Sequence, residues 1–77
     1  MYVLAPYFNA LHIGLKAKKT FARGNLLESY FELDDVEFVL YSLDTFYVEV
    51  YISVVNKMKI FDIKAISVDD ALDKYYL

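Results

Sequence analysis

The 77-residue chain has no cysteine and no tryptophan, and only one histidine, one proline and two glycines. Without cysteine there is neither a disulfide nor a thiolate metal site, which leans the expected setting toward the cytoplasm. A lone His12 cannot build a zinc centre, and no cofactor is expected. Long hydrophobic runs are also missing. The apolar N-terminal stretch is broken by Pro6, Asn9, His12 and Gly14, short of the roughly 20 residues a membrane-spanning helix needs. It also begins without a basic segment, so neither a secretory signal nor a membrane partner is expected.

Basic charge is scarce after the first third. Lys16, Lys18, Lys19 and Arg23 are the only charges before Glu28, and the remainder carries eleven acids against four lysines, for a net charge of −3. A net acidic chain disfavours nucleic acid as a general partner. The 16–23 segment, with Phe21 among its cations, is the one cluster that could grip phosphates. No glycine-rich phosphate loop or RNA-binding aromatic motif accompanies it, and a solvated helix end accounts for it more simply.

What is abundant is aromatic side chain, with eight tyrosines and six phenylalanines. Tyrosine combines a large apolar body with a polar tip, and part of that area is expected to meet a partner. A chain this short forms one domain over residues 1–77, with a thin stability margin that favours association.

The strongest structural signal spans Thr45 to Ile66, where two alternating runs flank Asn56-Lys57. Closing a hairpin there sets Ile52 against Phe61, Val50 against Ile63 and Val48 against Ala65, so one face is wholly apolar. The other face pairs Glu49 with Lys64, Tyr51 with Asp62 and Ser53 with Ile60. A preceding alternating run, Val36 to Tyr41, predicts another strand. A Ser42-Leu43-Asp44 turn would pair Leu40 with Phe46, Phe38 with Val48 and Val36 with Val50, at the cost of bringing Glu37 beside Glu49.

Helices are predicted on either side of this meander. Pro6 to Lys19 has apolar residues at helical spacing and lysines at its end, although Gly14 and an alternating undertone leave an extended reading open. Asn25 followed by Glu28 resembles a capping box and predicts a second short helix ending at Asp34-Asp35. Ser67 with Asp70 predicts a third, whose stripe of Ala71, Leu72, Tyr75 and Tyr76 would lie on the apolar sheet face. The expected fold is therefore α+β: a three-stranded antiparallel β-meander in α-α-β-β-β-α order, helices packed mainly on one face.

Catalytic constellations are weak. His12 has no supporting motif with Ser29, Ser42, Ser53 or Ser67, and no nucleophile elbow is present. Asp34, Asp35 and Glu37 lack the spacing of a calcium loop and read as an acidic turn. Glu49 with Asp62 lies on a sheet face beside Lys64, where a cross-strand ion pair suffices. The chain is thus read as non-enzymatic. With every helix on one side, Val39, Tyr41, Tyr47, Glu49, Tyr51, Ile60 and Lys64 would form an outer, tyrosine-rich face with the composition of a protein interface. The expectation is a small protein-protein interaction module that self-associates as a homo-oligomer, or docks on another protein, through that face or through the edge of strand 36–41 or 58–66. The alternative is a nucleic-acid-binding accessory domain contacting phosphates through Lys16, Lys18, Lys19 and Arg23.

Overall fold

The computed structural model describes residues 5–32, 35–55 and 59–75, and for residues 28–32 the backbone alone. Its elements run α1 (Ala5–Ala10), α2 (Ile13–Arg23), β1 (Asn25–Glu32), β2 (Val36–Leu43), β3 (Phe46–Ser53), β4 (Lys59–Ile66) and α3 (Val68–Tyr75). The four strands form one antiparallel sheet in the order β1-β2-β3-β4. The class is α+β, with four strands where three were expected.

The additional strand comes from the segment expected to be a second helix. Gly24 donates its N–H to the Thr20 carbonyl at 2.8 Å, closing α2, and itself adopts extended angles (φ −76°, ψ 154°) that launch β1. A capping-box cue at Asn25 and Glu28 competes there with Tyr30 and Phe31, residue types that favour strands, and with a full ladder against β2. The ladder prevails. The first predicted helix is instead two, broken at Leu11-His12. The Leu11 N–H bonds back to the Phe8 carbonyl at 3.0 Å, while the His12 carbonyl accepts from Lys16 at 3.1 Å and starts α2.

The β3–β4 hairpin follows the expected register from Val48↔Ala65 to Tyr51↔Asp62. A bulge then shifts the pairing to Ile52↔Ile60 and Ser53↔Lys59. One extra residue on β4 lets Ile52 and Ile60 both pack against the apolar core, where strict alternation would have put Ile60 on the opposite face. The expected Asn56-Lys57 turn lies outside the described residues.

The β2–β3 connection departs further from expectation. β2 runs on to Leu43, which pairs with Phe46 across a two-residue turn of Asp44 and Thr45. Leu43 is buried, so its side chain drives it out of the turn, and Asp44 takes the left-handed position (φ 55°), which Asp tolerates better than most residues. The pairing is thereby moved by three residues, an odd number that turns β2 over. Phe38 now lies opposite Tyr51, Leu40 opposite Glu49 and Tyr41 opposite Val48. The feared Glu37–Glu49 juxtaposition disappears, since Glu37 lies opposite Ile52.

Helices accordingly cover both faces, not one. Phe8 of α1 joins Leu43, Phe46, Val48, Val50, Ile63 and Ala65 in the larger core, with Ala17 of α2 packed against it. The Phe8 and Phe46 rings lie 5.5 Å apart. On the opposite face, Ala71 and Tyr75 of α3 bury Leu40, with Tyr47 and Ile66 alongside. The Ser67 cap is present: the Asp70 N–H donates to its Oγ at 3.1 Å. Of the predicted α3 stripe, Ala71 and Tyr75 are buried, Leu72 is exposed, and Tyr76 lies outside the described residues.

Ile63 sits at the centre of the larger core with no exposed surface. Ile63→Asp places an unpaired carboxylate there and is expected to cost about 5 kcal/mol, comparable with the whole stability of so small a domain. Urea unfolding followed by circular dichroism should find the variant largely unfolded before denaturant is added.

Candidate interaction site

The pleat of β3 divides its side chains between the two layers. Val48 and Val50 face α1, so Glu49 between them faces α3. Glu49 is 2% exposed, an unusual position for a carboxylate, and its oxygens are fully engaged. Oε2 accepts from the Tyr75 hydroxyl at 2.5 Å and pairs with Lys74 Nζ at 2.7 Å. Oε1 accepts from the Tyr51 hydroxyl at 3.0 Å. Lys74 also lies 4.6 Å from the centre of the Phe38 ring, which itself packs 4.6 Å from Tyr51. This network clamps the C-terminal turn of α3 onto the sheet.

The expected tyrosine-rich outer face is therefore divided. Val39, Tyr41 and Ile60 pack against the Phe8 core. Tyr47, Glu49, Tyr51 and Lys64 belong to the α3 side, where Tyr47 and Tyr51 are half-buried and Lys64 is exposed. Tyr41 cannot extend the row of Tyr47 and Tyr51, because it lies opposite Val48. Although Lys64 is the cross-strand neighbour of Glu49, it is Lys74 that takes the carboxylate.

The basic cluster is divided too. Lys16 donates through Nζ to the Ile63 carbonyl at 2.9 Å, and Arg23 pairs with Asp44 at 2.5 Å. Lys18 is exposed and Lys19 half-buried. Of the proposed acidic turn, Asp34 lies outside the described residues, and no group of three potential metal ligands converges among the described residues. A recess of about 190 Å³ between the β2–β3 turn and the start of α3 is lined by Ser42, Asp44, Thr45, Phe46, Tyr47 and Val68. It falls short of the roughly 300 Å³ at which ligand clefts begin.

The margins of the sheet differ sharply. In the Ile63–Ala65 stretch of β4 the residues that turn their peptide groups away from β3 are Ile63 and Ala65, and each of those groups has a partner. Asn9 Nδ2 donates to the Ala65 carbonyl at 3.1 Å, and Asn9 Oδ1 accepts from the Ala65 N–H at 2.7 Å. The Ile63 carbonyl accepts from Lys16, and its N–H donates to Asp62 Oδ1 at 2.9 Å. Asn9 imitates the peptide group of a neighbouring strand, because its amide offers a donor and an acceptor side by side. That stretch of the margin is closed to further pairing.

β2 is an inner strand, flanked by β1 and β3, so the margin expected at strand 36–41 belongs to β1. The helices pack chiefly on β4, β2 and β3, while the chief neighbour of β1 is β2. Leu26 and Leu27 are 63% and 47% exposed. In an antiparallel sheet the direction of the peptide groups alternates along each strand. Carrying that alternation from Ala65 through Val48, Val50 and Val39 turns the N–H and C=O groups of Ser29 and Phe31 outward from the sheet. Neither Asn9 nor β1 was recognisable beforehand as part of an edge. Asn9 acts on a residue 56 positions away, and β1 carried a helix signal.

Two substitutions separate these features. Glu49→Ala leaves Tyr75 and Lys74 without their shared acceptor and is expected to cost about 2 kcal/mol, with faster amide exchange in residues 68–75 than in the sheet. Asn9→Ala strips both partners from Ala65 and is expected to cost about 1–2 kcal/mol. Because it opens a second margin, light scattering should also show larger, concentration-dependent assemblies than the native chain forms.

No protein-family model matches the chain, and neither a curated protein nor a solved structure shows significant similarity to it.

Proposed function

We propose that this domain is a non-enzymatic protein-protein interaction module that takes up a strand of a partner along β1. The observation that carries this reading is the unequal treatment of the two sheet margins. β4 is closed over Ile63 to Ala65 by Asn9, Lys16 and Asp62, whereas among the described residues the helices leave β1 with β2 as its chief neighbour. Protein chains commonly recruit partners by adding a strand to an open edge, with main-chain hydrogen bonds supplying affinity and flanking side chains supplying selectivity. Exposed Leu26 and Leu27 provide apolar surface at one end of that edge. This narrows the expectation of a tyrosine-rich face or a sheet edge to the edge, because α3 lies over Tyr47 and Glu49.

The nucleic-acid alternative is weakened by the ties that hold Lys16 to β4 and Arg23 to Asp44. Lys18 and Lys19 are then the remaining members of that cluster, and two cations give little phosphate affinity at physiological salt.

Ser29→Pro tests the reading directly. Proline there removes an outward N–H and leaves the ladder to β2 intact, a position sheets accept on an edge. Wild-type and Ser29→Pro domains immobilised side by side should differ: partner proteins held by the former should be lost from the latter, with circular dichroism unchanged. Retention of the same proteins by both would refute the edge reading. Tight, salt-sensitive nucleic-acid binding that is lost in Lys18→Gln with Lys19→Gln would replace it by the alternative.

A further inference from the structure

Resting on the edge reading just given, we infer that the strand taken up by β1 is β1 of a second copy, giving a two-fold dimer with an eight-stranded sheet centred on Ser29. The first ground is closure. Chains that add strands head to tail, β1 of one to β4 of the next, would build an open filament. The side chains of Asn9, Lys16 and Asp62 occupy the β4 peptide groups that such stacking needs. Pairing of β1 with β1 uses both β1 margins at once and leaves two β4 margins blocked over Ile63 to Ala65, so assembly stops at two copies.

The second ground is register. A two-fold axis perpendicular to the sheet keeps each residue on its own face, so it brings together only positions separated by an even number of residues. Centring the axis on residue 28 sets Glu28 opposite its own copy. Centring it on residue 30 sets Glu28 opposite Glu32 of the other copy, twice. Like charges directly opposite destabilise a strand pair. Centring it on residue 29 places Glu28 opposite Tyr30 of the other copy, twice, with no acid against an acid. This register also joins the outward peptide groups of Ser29 directly to those of the second copy. The β1 bulge, between Leu26 and Glu28, lies to one side of this centre and leaves Glu28 to Glu32 in unbroken pairing with β2. Each copy carries a net charge of −3, so added salt should strengthen the association by screening that repulsion.

The absence of native cysteine makes the register measurable. In a hydrogen-bonded antiparallel pair the facing Cα atoms are about 5.5 Å apart, inside the roughly 4.4–6.8 Å that a disulfide spans. Under mild oxidation Ser29→Cys should become a covalent dimer at least ten times faster than Glu28→Cys or Tyr30→Cys, and urea should abolish the difference. Sedimentation of the unmodified chain should show the mass rising from 9.0 kDa toward twice that value between micromolar and millimolar concentration, and no further. A mass that stays at 9.0 kDa throughout would overturn the dimer, while the proline-sensitive capture of a different protein would leave the edge reading standing. Faster linkage at position 28 or 30 would overturn the register, and growth past two copies would overturn the closure.

Discussion

The structure depends on one carboxylate being held inside it. Glu49 stands in the middle of β3, between two valines of the larger core, and the pleat commits it to the opposite side of the sheet. A buried charge without partners would cost several kcal/mol. Tyr51, Lys74 and Tyr75 supply those partners, and two of the three come from α3. The requirement runs in both directions: the sheet needs α3 to solvate Glu49, and α3, with only Ala71 and Tyr75 buried, needs Glu49 to hold its last turn. An eight-residue helix in isolation would be marginal in water.

The same economy governs the other layer. α1 is six residues long and buries a single side chain, Phe8, yet it is anchored at both levels of the fold. Phe8 enters the core, while Asn9, the next residue, hydrogen-bonds the backbone of β4. The break at Leu11-His12 then lets α2 take its own direction, from which Lys16 reaches Ile63. A continuous helix from Pro6 to Lys19 would have bound these contacts to one axis. Closing one margin of the sheet is thus a task shared by both short helices.

How much of this was legible in advance follows from the range of the interactions. The β3–β4 hairpin was readable because its alternation, Val48-Glu49-Val50 against Ile63-Lys64-Ala65, is local and nearly strict. Ser67 was readable as a cap for the same reason. The bulge beside Phe61 was not, because it answers to core packing rather than to the pattern within either strand. Leu43 carried a usable warning, being too apolar for a turn, and heeding it would have turned β2 over and removed the like-charge clash. β1 was hidden by a competing cap signal that a neighbouring strand overrode. Once α3 moved to the opposite face, the predicted interface residues divided between the layers, and what remained as a candidate was backbone, which composition does not display.

Asn9 has a chemical life of its own. It closes β4 only as an amide, donating to the Ala65 carbonyl and accepting from its N–H. Hydrolysis of that amide to a carboxylate, the ordinary slow ageing of asparagine, would leave an acceptor facing an acceptor, since an ionised carboxylate cannot donate. One lost nitrogen would convert a sealed margin into a repelling and then an available one. The age of a protein sample, and not its sequence alone, would then set how many strand edges each molecule presents.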